Sequence, residues 1–236
     1  MGKNKLARWA EMAAFNNVIQ PETGDLSGED HPVKGKWQKE IFRNSNPVIL
    51  ELGCGKGEYT LGLATRFSHN NYIGIDIKGA RMWRGAKTAY ENKMSNVAFL
   101  RTRIEFIKSY FAEDEVDEIW LTFPDPHPGK RNSNKRLTCP WFLNIYRNFL
   151  KNNGIIHLKT DNTDLFKYTK RLVERNNLPI IFTTSDLHLE RPDDDILSIR
   201  THYENLFLSG ELKINYLSFR LEKNRIIENA ASETKN

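Results

Sequence analysis

Cysteine is nearly absent from this chain. Two residues, Cys54 and Cys139, can build neither a disulfide framework nor a zinc site of ordinary spacing. Their thiols are expected to stay reduced, as in a cytoplasmic protein. Long apolar runs are missing too: none approaches the ~20 residues that a membrane-spanning helix needs. The opening stretch MGKNKLARWAEMAAF is charged and lacks the apolar core and cleavage site of a secretory leader. It starts like a myristoylation signal, but Leu6 stands where that signal wants Ser or Thr. The six histidines show no metal-ligand spacing, so no metal is expected. Internal repeats and low-complexity blocks are absent as well.

What is present is material for a core. Hydrophobic residues make up 39% of 236, enough for one sizeable domain. A net charge of +5 and a pI near 9.1 permit an anionic partner without requiring one. Residues 1–46 read as an extension, with a helix through LARWAEMAAF and then a flexible Gly/Pro/Asp-rich connection. Residues 47–225 form the main domain, and 226–236 a tail. Within the main domain, short apolar runs (PVILELG, NYIGIDI, VAFLRTR, VDEIWLTFPDP, GIIHLKTDN) alternate with helical patterns. IEFIKSYF, CPWFLNIYRNFL and TDLFKYTKRLVERN are three of those helices. PIIFTTSDL and INYLSFRLE are late strands around a helical segment, LSIRTHYENLFLSG. Such alternation predicts an α/β fold with a mostly parallel sheet and helices on both faces.

In such a sheet, ligands bind beyond the carboxyl ends of the strands. The first apolar strand ends in ELGCGKGEY, which places Gly53, Gly55 and Gly57 at alternate positions. A dinucleotide cradle wants G-x-G-x-x-G, but Glu58 occupies the third glycine's place, which argues against a pyrophosphate site. Alternating glycines let a backbone come close to a ligand, and Glu51 just upstream favours a cationic one. Asp76 closes the second strand about 20 residues on, where an acid reaches ribose hydroxyls; taken alone, it could equally cap the helix that follows. The fourth strand runs into Phe123-Pro124-Asp125-Pro126, a rigid end that displays a carboxylate. Lys130, Arg131, Lys135 and Arg136 follow in a basic loop. They suit phosphates, which give affinity and register rather than base identity, or they are an ordinary polar loop.

ELGCGKGEY, FPDPHPGKR, HLKTDN and THYENLF, in this order, resemble the bacterial tRNA (guanine-N7)-methyltransferase family, from about Trp37 to Leu221. That resemblance implies a Rossmann-like class I methyltransferase fold, with a seven-stranded sheet and one late antiparallel strand. It implies S-adenosylmethionine as methyl donor, and N7 of guanine 46 in the tRNA variable loop as acceptor. Donor contacts then fall on Glu51, the three glycines, Asp76, Arg103 and Asp125, with Asp125 nearest the moving methyl. Substrate contacts fall on Lys130, Asp161, Thr201 and Glu204. Two positions depart from the pattern. Gly129 stands where relatives carry a substrate lysine, so Lys130 takes over that reach. Arg103 replaces a small polar residue, and a guanidinium cannot accept from an adenine amino group; its backbone is expected to serve the site instead.

N7 of guanine has a lone pair and no proton to lose, so no general base is needed. The requirement is alignment, with carboxylates near the shifting charge. A carboxylate can also accept from N1–H and N2–H of guanine together, a role that suits Asp161 or Glu204. Singly, Asp161 reads as a helix cap and Glu204 as a solvated helix residue. Other readings are a methyltransferase acting on another RNA guanine or on a small molecule, and a non-catalytic RNA-binding protein with this fold. The sequence leaves monomer and homodimer open.

Overall fold

The computed structural model describes residues 3–21, 29–191, 199 and 213–229. Eight strands form one sheet: β1 (Val18–Ile19), β2 (Val48–Leu52), β3 (Asn71–Ile75), β4 (Val97–Leu100), β5 (Val116–Thr122), β6 (Leu150–Thr160), β7 (Ile180–Thr184) and β8 (Asn215–Leu221). Their order across the sheet is β1-β4-β3-β2-β5-β6-β8-β7. All pairings are parallel except β6 with β8 and β8 with β7. The late antiparallel strand expected from the sequence is therefore β8. The sheet has one strand more than the seven expected. Val18–Ile19 pairs with Phe99 and Leu100 at the edge of β4, and two residues carry no periodicity by which to be read.

The helices are α1 (Lys3–Ala13), α2 (Glu58–Arg66), α3 (Gly79–Glu91), α4 (Pro140–Tyr146), α5 (Thr163–Arg175) and the single turn α6 (Leu187–Glu190). Every residue of β2 and β3 is buried, which requires cover on both faces. Alternation along β2 sorts the two cores. Leu50 and Leu52 join Phe142 and Leu143 of α4 and Leu165 of α5. Ile49 joins Met12 of α1, Tyr59 and Leu63 of α2, and Met82 of α3. Pro140 opens α4, where its missing N–H costs nothing. The IEFIKSYF segment is a 3₁₀ helix, Ile104–Ser109, rather than an α-helix. Trp37–Phe42 forms a π-helical segment, with Trp37 fully buried and its Nε1 donating to Tyr110 O at 2.8 Å. The LSIRTHYENLFLSG segment, apart from Ile199, lies outside the described residues. No helix among the described residues is long and apolar enough to cross a membrane.

Candidate active site

The strand order reverses direction between β2 and β5, where Glu51 pairs with Trp120. A cleft opens there at the carboxyl ends of the strands, the position that this topology dictates. It measures about 1180 Å³ and is bordered by Glu51, Gly53, Gly55, Asp76, Arg103, Asp125 and Asp161, among others. Seven of the residues singled out in the sequence thus meet in one hollow.

The glycine turn forms its floor. Gly53 and Cys54 donate their N–H groups to Ile75 O at 2.8 and 3.0 Å, tying the turn to the end of β3. Gly53 and Gly55 have φ of +78° and +56°, and a Cβ on either would meet only open space. Their bare backbone therefore faces the cleft. Gly57 does different work. At φ +72° it caps the N-terminus of α2, and a Cβ there would lie 2.6 Å from the Phe99 ring. It does not border the cleft; it lets α2 approach the sheet.

Asp76 binds the turn to the next helix. Its Oδ2 accepts from Gly55 N at 2.9 Å and its Oδ1 from Lys78 N at 2.7 Å. Each oxygen keeps further acceptor capacity toward the cleft. Glu51 is turned inward. Its carboxylate accepts from Thr60 N at 2.8 Å, from the Thr60 hydroxyl, and from Thr122 Oγ1 at 2.5 Å. Burial raises the Glu51 carboxyl to about 7, against the pull of these hydrogen bonds. Its negative charge is therefore partial at neutral pH. Cys54 beside it is buried, which pushes its thiol well above the usual range and leaves it inert.

The segment after β5 is stiff and kinked. Phe123 and His127 have φ of +49° and +43°, on either side of exposed Asp125. Gly129 has φ +81° and ψ 155°, a region that only glycine uses freely. A lysine at that position would be strained, which is a local reason for the glycine. The basic loop is a 3₁₀ turn, Lys130–Lys135; the side chain of Lys130 lies outside the described residues. Arg136 is not a loop cation at all. It is buried, donates from Nε to Pro126 O at 3.1 Å and from Nη2 to His127 O at 3.2 Å, and stacks 4.3 Å from Tyr168. It holds the Pro-Asp-Pro segment in place. Charge alone put it among the phosphate contacts, and no sequence signal marked it as buried.

Arg103 is exposed and pairs with Glu105 at 3.1 Å, so its side chain is directed along the rim. Asp161 is exposed at the cleft and does not cap α5. That cap is Asn162, whose side chain accepts from Leu165 N at 2.8 Å. Thr201 and Glu204 lie outside the described residues. Trp141, about half exposed at the start of α4, borders the cleft and had no sequence signal beyond its place after Pro140. No cluster of His, Cys, Asp and Glu able to hold a metal occurs among the described residues.

Comparison with known proteins agrees with this geometry. The methyltransferase family model Methyltransf_4 matches residues 45–217. The tRNA (guanine-N(7)-)-methyltransferase of Bacteroides fragilis is 52% identical over 94% of this chain and 87% of its own. That of Christiangramia forsetii is 47% identical over 93% and 99%. Among solved structures, the 16S rRNA methyltransferase KamB superposes with a TM-score of 0.60 at 11% identity, covering 82% of this chain and 95% of its own. At that identity the likeness is one of fold.

Proposed function

This chain belongs to the tRNA (guanine-N7)-methyltransferase family, and on that premise we propose that it methylates N7 of a guanine in tRNA, specifically guanine 46 of the variable loop. The observation that carries the reading is the convergence of the open glycine floor, Asp76, Asp125 and Asp161 on one cleft. S-adenosylmethionine fits that cleft as donor and would supply an electrophilic methyl group on a sulfonium. Bare backbone at Gly53 and Gly55 gives its amino-acid tail close approach, and the free acceptor capacity of Asp76 suits ribose hydroxyls. Asp125, on its braced segment, sets a negative charge near the reacting centre, where it steadies positive charge as the guanine ring acquires it. Asp161, spared from capping, accepts from the guanine edge, with Thr201 and Glu204 as further substrate contacts. Trp141 offers an indole face on which a base can stack. None of these residues needs to take a proton from N7, because N7 carries none. The work of the site is positioning and exclusion of water.

The activity belongs in the cytoplasm, where tRNA is the anionic partner. Nucleotide-resolution mapping of N7-methylguanine in tRNA from cells with and without this gene tests the reading. Loss of a single modified position, guanine 46, is expected without the gene. An unchanged map would overturn the assignment.

A further inference from the structure

A second hollow, of about 370 Å³, lies beside the cleft and shares Lys56, Glu58 and Arg81 with it. Arg8 of α1 and Arg84 of α3 complete its charged wall, so four cations face a single carboxylate. Lys56, Arg81 and Arg84 are exposed and form no ion pair with any described residue. Arg8 is held ready. Its guanidinium lies 4.7 Å from the Trp83 ring centroid, and its Nη1 reaches Ala80 O at 3.5 Å. Trp83 is fixed in turn, because its Nε1 donates to Glu11 at 2.7 Å. Glu11 also binds Lys87 at 2.7 Å, which clamps α1 to α3. Glu11 is thus engaged by Lys87 and Trp83, and none of Lys56, Arg81 and Arg84 has an ion-pair partner among the described residues. Like charges gathered at this density repel one another unless an anion spans them.

We propose that Arg8, Lys56, Arg81 and Arg84 form a phosphate-binding surface that seats the RNA backbone next to the methyl-transfer cleft, and that docking of α1 completes it. The proposal rests on the assigned tRNA substrate and adds a second contact region. It also gives α1 a task in binding rather than in the sheet. The ligand is a run of phosphodiesters: the hollow continues into the cleft, and guanidinium forks match phosphate oxygens.

The test uses the full chain with Arg8→Gln and Arg84→Gln together, both outside the cleft, and Arg175→Gln on α5 as control. An unmodified tRNA transcript is titrated at several salt concentrations, and S-adenosylmethionine affinity is measured by calorimetry. The double variant is expected to bind tRNA about tenfold more weakly, with the slope of log K against log salt reduced by ~2. Donor affinity and the control should match wild type. Arg84→Glu alone, on an exposed position, gives the same direction if the double variant folds poorly. Unchanged tRNA affinity and slope overturn the proposal, as does a wild-type chain that binds no tRNA. Weakened RNA binding in a chain that transfers no methyl to tRNA would keep the surface and discard the function on which it was built.

Discussion

Two carboxylates that border the same cleft have opposite fates, and environment decides which. Glu51 is enclosed by Thr60 and Thr122 and its carboxyl is raised to about 7. Because the folded value exceeds the ordinary 4.5, the folded state holds a proton that the unfolded state has released. The stability this contributes is full below about 4.5 and is lost as pH rises through about 7. Relative to Glu51→Gln, wild type should lose on the order of 3 kcal/mol across that window. Chemical denaturation of both proteins from pH 4 to 8 measures it, and a constant difference would show that Glu51 is not raised. Asp125 is exposed and braced rather than buried. Asp125→Asn keeps the shape and removes the charge. Single-turnover transfer at saturating donor and tRNA should fall more than about tenfold, a barrier increase above ~1.4 kcal/mol, with donor binding measured alongside. Transfer at the wild-type rate would take Asp125 out of the mechanism.

At the scale of elements, the turn between β2 and α2 joins two requirements that the sequence pattern presents as one. Gly53→Ala adds a methyl group that meets no protein atom, at a positive φ. It should cost about 1 kcal/mol of stability but weaken donor binding strongly, because the methyl enters the cleft. Gly57→Ala places its methyl against the Phe99 ring and close to Gly85 Cα. It should lower stability by more than Gly53→Ala does, with less specific damage to donor affinity. Melting curves and calorimetry on the two variants separate the roles, and identical profiles would refute the division. The glycines, strands β2 to β6 and the antiparallel β8 were all legible in the chain, since apolar runs and turn chemistry are local signals. Arg136 and Asn162 were not. Whether a basic residue in a loop points to solvent or to the carbonyls of Pro126 and His127 depends on Tyr168, 32 residues away and stacked against it. Asp161 and Asn162 are both good caps by type, and only the backbone path of β6 into α5 selects the second. The edge strand Val18–Ile19 exists because β4 offers it a partner, a tertiary fact that no two-residue pattern encodes.

Across the whole molecule, positive charge is put to different uses. Some basic residues are spent internally: Arg136 on carbonyls, Arg147 on Lys223 O, and Lys223 on Glu113 and Asp114. Others stand exposed along the cleft and the hollow beside it. Residues 1–46, read as an extension, include an α1 packed through Met12 into the core that holds Ile49 and a Trp37 buried in the core that holds Leu50. The central claim is that this cleft delivers a methyl group to N7 of one guanine in tRNA. Its most direct test is methyl transfer from S-adenosylmethionine to two transcripts that differ only at position 46, one with guanine and one with 7-deazaguanine. The account predicts stoichiometric labelling of the first and none of the second, with equal binding of both. Equal labelling of the two transcripts would contradict it.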